Sequence, residues 1–260
     1  MKIVHFHEGK STSWGVLEGN VIAVYGGNPY AEGEEARAAF KPLGHVVPLK
    51  GARFLSPCPA SKLVCLGLNY KPHATELNQQ LPDQPLLFLK PPSSIIGHED
   101  SIILPPGSER IDYEGELGVV IGKKARNISE EDFSAYVLGY TCFNDVTDRI
   151  AQAKDGQWTR AKSYDTFAPI GPCVETDVNP SDLKIETRVN GEVKQSGRTS
   201  ELIFWVGHLV SYISHVMTLM PGDVIATGTP VGVGPIKDGD IVEICIEGIG
   251  TLKNYVVSAH

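Results

Sequence analysis

Apolar and polar residues alternate along this chain in short runs, and most of the runs have the period and composition of strands. Ile3-Val-His-Phe6, Trp14-Gly-Val-Leu17 and Val21-Ile-Ala-Val24 are β-branched or aromatic and are separated by turns bearing Gly and Asn. The two prolines of Leu55-Ser-Pro-Cys-Pro-Ala60 then interrupt the pattern, so residues 1–60 are expected to form a small N-terminal β domain and residues 61–260 a larger one. The larger part opens on the strand-like run Leu63-Val-Cys-Leu66. Phe88-Leu-Lys-Pro-Pro92 and Ile102-Ile-Leu-Pro-Pro106 read as extended, because a residue before proline is pushed out of the helical region. Tyr140-Thr-Cys-Phe143, Val224-Ile-Ala-Thr227 and Ile241-Val-Glu-Ile-Cys-Ile246 add further strands. Asn190-Gly191, between Ile185–Val189 and Glu192-Val-Lys194, predicts a two-residue hairpin with positive φ at both turn positions.

One long stretch has the helical period: Leu202, Val206, Leu209, Val210, Ile213 and Met217, with Ser200 as N-cap and Pro221-Gly222 as the stop. Ser129-Glu-Glu-Asp132 ahead of Phe133, Tyr136 and Val137 has the capping-box pattern and predicts a short helix ending at Gly139. Many short strands, one long helix and no strand–helix–strand alternation place the chain in the α+β class, mostly β, with a mixed sheet.

The 260 residues are 42% hydrophobic and 21% charged, enough for one sizeable core and a small satellite domain. A net charge of −8 without any Lys/Arg block argues against a nucleic-acid groove and against an anionic membrane surface. The five cysteines are an odd number, widely spaced and in apolar surroundings, and read as buried small hydrophobes. Met1-Lys-Ile-Val-His-Phe6 lacks an apolar leader core, and no apolar run approaches the ~20 residues of a membrane span. A protein of the reducing cytoplasm is expected.

The acidic stretch Ile111-Asp-Tyr-Glu-Gly-Glu-Leu-Gly-Val-Val-Ile-Gly122 carries the sharpest chemical signal. Asp112, Glu114 and Glu116 sit at every second position, on one strand face, and run into a buried apolar segment. Carboxylates held that way repel one another and lose hydration, which calls for a cation, a bound proton or exposure at a strand end. Asp145 follows the strand Tyr140–Phe143 and can join Glu114 and Glu116 as a third oxygen donor, or act as an ordinary turn residue. Oxygen donors without Cys or paired His suit Mg²⁺, Mn²⁺ or Ca²⁺. His73 and Glu76, three residues apart, form a general-base pair if that segment is helical. The polar run from there to Pro85 has few apolar anchors and suits a lid. Arg160 and Lys162, taken as one side of an extended segment, offer charge to an anionic substrate. Thr227-Gly-Thr-Pro-Val-Gly-Val-Gly234 is neither a P-loop nor a dinucleotide fingerprint, but can present amides and the Thr229 hydroxyl to a carboxylate.

Taken in order, these pieces resemble the fumarylacetoacetate hydrolase superfamily, in its acylpyruvase and 2-hydroxyhepta-2,4-diene-1,7-dioate isomerase-like branch. The resemblance spans roughly residues 61–258 and rests on Gly67-x-Asn-Tyr-x-x-His-x-x-Glu76, Asp112-Tyr-Glu-x-Glu-Leu117, Asn144-Asp-Val-Thr147, Gln152, Arg160-Ala-Lys-Ser163 and Pro221-Gly-Asp-x-Ile-x-Thr-Gly-Thr-Pro230. It implies a mixed β-roll fold and a homodimer. It implies Glu114, Glu116 and Asp145 as ligands of Mg²⁺ or Mn²⁺, His73 and Glu76 as an activating dyad, and Lys162, Gln152, Thr229 and Asn69 as contacts to a small anionic 2-oxo acid. The reaction expected first is hydrolysis of a carbon–carbon bond beside the carbonyl of an acylpyruvate-type substrate, through an enolate held by the metal. Decarboxylation or isomerisation of a related diacid is the alternative, and a non-catalytic metal-binding relative the rival. Two departures point away from fumarylacetoacetate itself: Ile150 stands where relatives carry an acid, and Leu68-Asn69 stands where a fourth acidic ligand would be.

Overall fold

A computed structural model of the chain describes residues 1–76 and 80–259. Strands β1 (Lys2–Glu8), β2 (Ser11–Glu18) and β3 (Val21–Gly26) form a meander, followed by a short helix α1 (Glu34–Ala38) and β4 (Lys41–Pro48). Next come β5 (Phe54–Leu55), β6 (Leu63–Leu66), α2 (Lys71–Glu76), β7 (Leu87–Lys90), β8 (Ile95–Ile96) and β9 (Ser101–Leu104). The acidic stretch is broken at Glu114 into β10 (Ile111–Tyr113) and β11 (Gly115–Ile121), and β12 (Val137–Asn144) and β13 (Thr147–Asp148) lead into α3 (Arg149–Asp155) and α4 (Thr159–Lys162). Then follow β14 (Ala168–Glu175), the hairpin β15 (Lys184–Val189) and β16 (Glu192–Arg198), and the long helix α5 (Val206–Val216). The chain closes with β17 (Val224–Ala226), β18 (Gly234–Ile236), β19 (Ile241–Ile246) and β20 (Gly250–Ser258).

These strands build a 12-stranded mixed sheet in the order β4-β3-β2-β1-β14-β12-β11-β17-β6-β7, with β5 on β1 and β8 on β14. A five-stranded sheet, β16-β15-β19-β20-β9, and a small one, β13-β10-β18, complete the fold. The α+β, mostly β class with one long helix is the one observed. Strand β11 is central and buried along its whole length. Its alternate side chains enter two apolar clusters: Leu117, Val119 and Ile121 pack with Ile185, Ile244 and Leu252, whereas Val120 packs with Phe143 and Val224. Continuous β-branched sequence is what a strand covered on both faces requires.

The N-terminal strands share the large sheet. Ile3 of β1 lies opposite Val174 of β14, and Val4, Phe6, Ile22 and Val24 belong to the same cluster as Leu117. The Asn190-Gly191 turn has φ of 54° and 81°, as its sequence requires. All five cysteines are free, and four are buried. No helix among the described residues is long and apolar enough to cross a membrane.

Two local expectations are corrected. The helix expected over 129–138 is a single 3-10 turn, Phe133–Ala135. Ser129 does hydrogen-bond Asp132, but Tyr136 O accepts from Gly122 N–H at 2.7 Å and Val137 pairs with Ile121, so the sheet takes the segment before a helix can propagate. The long helix begins at Val206 and not behind Ser200, whose hydroxyl donates to Asp182 at 2.7 Å within a 3-10 turn.

Candidate active site

Two strand ends are stitched together where the carboxylates meet. Glu114 N–H donates to Asn144 Oδ1 at 3.0 Å and Glu114 O accepts from Asp145 N–H at 2.8 Å, so the break between β10 and β11 faces the end of β12. Glu114, Glu116 and Asp145 are thereby gathered and buried, with one oxygen of each within 4.8 Å of the others.

Three cations surround them. Lys162 at the end of α4 donates to Glu114 Oε2 at 3.0 Å and Asp145 Oδ2 at 2.6 Å. Lys90, the last residue of β7, donates to Asp145 Oδ1 at 2.5 Å and Val146 O at 3.0 Å. Arg149, the first residue of α3, joins Glu114 Oε1 to Asp112 Oδ2, the latter at 2.8 Å. Burial alone would push the Glu114 carboxyl up, but Arg149 and Lys162 outweigh it and hold it at about 2. Glu116 goes the other way. Its Oε2 accepts from Gly228 N–H at 2.7 Å while its Oε1 is buried without a partner among the described residues, and burial with the charges of Asp145 and Glu114 pushes its carboxyl well up. An orphaned buried oxygen beside two more carboxylates is what a hard divalent cation satisfies, so the donor set fits Mg²⁺ or Mn²⁺, with Ca²⁺ sharing the same ligand chemistry.

Glu114, Glu116, Arg149 and Lys162 form one wall of a cavity of about 220 Å³, also lined by Leu66, Leu68, His73, Phe88, Trp158 and Thr229. Helix α2 brings His73 Nδ1 to 2.8 Å from Glu76 Oε2, which leaves Nε2 as the ring nitrogen without a partner among the described residues, on a side chain of the cavity wall. The lid expected over residues 73–85 includes 77–79, which lie outside the described residues.

The remaining expected contacts are distributed differently. Gln152 lines the cavity, but its Oε1 accepts from Arg149 at 2.9 Å. Thr229 also lines it; its hydroxyl donates to Gly115 O at 2.9 Å and accepts from Gln195 at 2.8 Å, so its proton is already committed. Asn69 does not reach the cavity: its amide donates to Phe204 O and Thr227 O and its Oδ1 accepts from Phe204 N–H, fixing the loop before α5. Arg160 and Lys162 are not on one side of an extended segment, because the segment is helical. Arg160 turns out to Asp155 and Lys162 turns in. The amide of Gly228 serves Glu116 and not a substrate. Ile150 is 44% exposed and does not line the cavity, so the acid-to-apolar departure leaves the site intact. Lys90 and Arg149 were not anticipated as members of the site. The local signal for the first is a lysine inside the apolar run before Pro91-Pro92, which by itself reads as a strand end reaching solvent.

The model of the fumarylacetoacetate (FAA) hydrolase C-terminal family matches residues 62–257, and that of the Rv2993c-like N-terminal family matches residues 1–57. Human mitochondrial oxaloacetate tautomerase FAHD2A is 43% identical over 235 residues, which cover 85% of this chain and 75% of that protein. The crystal structure of 2-hydroxyhepta-2,4-diene-1,7-dioate isomerase from Mycobacterium marinum is similar with a TM-score of 0.90 and 43% identity over 99% of this chain and 98% of that one. Maleylpyruvate hydrolase from Sphingobium sp. SYK-6, solved with manganese(II) and pyruvate, gives 0.82 at 31% identity over the whole of both chains.

Proposed function

The chain belongs to the fumarylacetoacetate hydrolase family, and from that premise we propose that it is an enzyme that moves a proton at the carbon beside the carbonyl of a small anionic 2-oxo acid. The observation that carries this reading is the imidazole of His73, braced by Glu76 at 2.8 Å, in the same cavity as Lys162, Glu114 and Glu116. Glu114, Glu116 and Asp145 would hold Mg²⁺ or Mn²⁺, which supplies fixed positive charge against the negative charge that develops on the substrate's oxygens.

Lys162 is buried and hydrogen-bonded to two carboxylates; burial lowers its pKa, but Asp145 and Glu114 raise it on balance, so it stays an ammonium and can receive substrate oxygen. Glu76, an acceptor at Nδ1, favours the tautomer whose Nε2 is a base, and His73 takes the proton from the carbon and returns it elsewhere on the substrate. Leu66, Leu68, Phe88 and Trp158 give the cavity an apolar wall that keeps bulk water off the reacting carbon.

Tautomerisation or isomerisation is placed ahead of the hydrolysis expected from sequence, because the oxaloacetate tautomerase and the isomerase named above are each 43% identical to this chain, whereas maleylpyruvate hydrolase is 31% identical and a fumarylacetoacetate hydrolase from Exiguobacterium antarcticum 36%. Hydrolysis is the second reading. It is favoured by the His73–Glu76 pair, which can equally activate a water. The discriminating experiment follows the ultraviolet absorbance of oxaloacetate enol and of acetylpyruvate. Faster enol loss without pyruvate release supports the first reading, and acetate with pyruvate from acetylpyruvate the second. As working form we propose a cytoplasmic homodimer, supported by the family resemblance; light scattering at monomer mass would exclude the dimer.

A further inference from the structure

The acidic cluster is gripped from outside. Each carboxylate has one oxygen tied to a donor fixed in the surrounding fold: Glu114 Oε1 to Arg149, Glu116 Oε2 to the Gly228 amide at 2.7 Å, and Asp145 Oδ1 to Lys90 at 2.5 Å. The opposite oxygens, Glu114 Oε2, Glu116 Oε1 and Asp145 Oδ2, have no other partner than Lys162 among the described residues, and Glu116 Oε1 has none. Lys90 is the least expected member. It is 1% exposed, and a second hydrogen bond to Val146 O at 3.0 Å keeps its ammonium in place. A fixed positive charge beside a ligand carboxylate weakens the hold on any cation, so gain of affinity does not explain it. Restraint of the carboxylate does.

We propose that Lys90 is a positioning residue that limits Asp145 to one metal-facing oxygen and, with Arg149 and the Gly228 amide acting likewise on Glu114 and Glu116, makes the site select a small six-coordinate divalent cation over Ca²⁺. The proposal rests on the reading that these carboxylates hold a cation. Ca²⁺ fills its 6–8 positions by taking carboxylates through both oxygens, whereas Mg²⁺ needs a near-octahedral shell and keeps several waters. Three carboxylates whose other oxygens are held by Arg149, Gly228 and Lys90 suit the second ion and starve the first.

The test is the affinity of the whole protein for Mn²⁺, read by electron paramagnetic resonance of the free ion, with Ca²⁺ as competitor, in wild type and Lys90→Met. Methionine keeps the length of the side chain and removes its charge. Both ions are divalent, so loss of the charge shifts both affinities together, and only loss of the restraint on Asp145 moves their ratio. The Mn²⁺ over Ca²⁺ preference is expected to fall at least ~10-fold, the lower end of what a lost outer-shell partner costs a metal site. An unchanged preference in a folded variant overturns the role of Lys90. Should the variant fail to fold, deuterium spin-echo modulation of Mn²⁺ bound to wild type in heavy water decides: about three coordinated waters are expected for three single-oxygen ligands, and one or none overturns the proposal. If wild type binds no Mn²⁺ at all, the cation reading falls and this proposal with it; bound Mn²⁺ with no preference over Ca²⁺ removes the proposal alone.

Discussion

At Glu116, burial, two neighbouring carboxylates and an unpartnered oxygen all disfavour the charged side chain, so the residue works against the stability of the metal-free fold. Glu116→Gln relieves the repulsion at nearly constant volume. The variant without added metal is predicted to melt no lower than wild type, while Mn²⁺ binding weakens by more than the 10–100-fold typical of an outer-shell loss. A clearly lower melting temperature, or unchanged Mn²⁺ affinity, would refute this. His73→Ala is predicted to lower kcat by about 10²–10⁴-fold and to leave Mn²⁺ affinity within a factor of ~2, since the imidazole braces Glu76 and no ligand of the cluster. Parallel loss of both would make His73 part of the cation site. The acids and the His73–Glu76 pair were legible because their spacing along strand and helix carries the chemistry. Lys90 was not, because its partner Asp145 is 55 positions away and a lysine at a strand end usually reaches solvent. Asn69 misled for the converse reason: a polar residue beside the site spends all its hydrogen bonds on backbone at Phe204 and Thr227.

Among the elements, the turn between β8 and β9 carries a pH dependence. Burial is the largest influence on His98 and lowers its pKa below the usual 6.5, and its Nδ1 accepts from Lys253 N–H of β20 at 3.1 Å, which the neutral ring alone can do. His5, partly buried and stacked on Trp14 at 4.4 Å, is lowered in the same sense, again mainly by burial. The folded state thus disfavours the imidazolium, and the unfolded chain binds more protons once the pH drops through about 6.5. Stability from these groups is full above that pH and declines below it until the lower folded value is passed. The urea midpoint should be lower at about pH 5.5 than at about pH 7.5, and His98→Asn, which offers an acceptor that does not titrate, should reduce the difference. An undiminished difference would exclude His98 as a source. At this scale the strands and the Asn190-Gly191 hairpin follow local sequence, whereas the 129–138 segment shows the limit: its capping residues are present and its hydrogen bonds are made, yet Val137 is worth more to β11 than to a helix.

Across the whole molecule, the sheet runs without a break from β4 through β1 to β14 and on to β11, and residues of the first 60 share a core cluster with the strand that carries Glu116. The two stretches are predicted to unfold together. Calorimetry should show one transition, and two well-separated ones would contradict the shared core. Turn spacing made the β-rich class legible, but not the order of the strands: the parallel pairing of β6 with β17, Leu63 opposite Val224, joins segments that no local pattern connects. That pairing sets His73 just after β6 and Thr229 just after β17 on the same cavity, which is how distant motifs become one site. As proposed above, the site processes a 2-oxo acid with His73 as base and a divalent cation on Glu114, Glu116 and Asp145. The most direct test is the rate of absorbance change of oxaloacetate enol and of acetylpyruvate with Mn²⁺, with Mg²⁺ and with excess EDTA, for wild type and His73→Ala. The rate on at least one of the two substrates is expected to require both the cation and His73. A wild-type rate that survives EDTA, or one matched by His73→Ala, would contradict this reading.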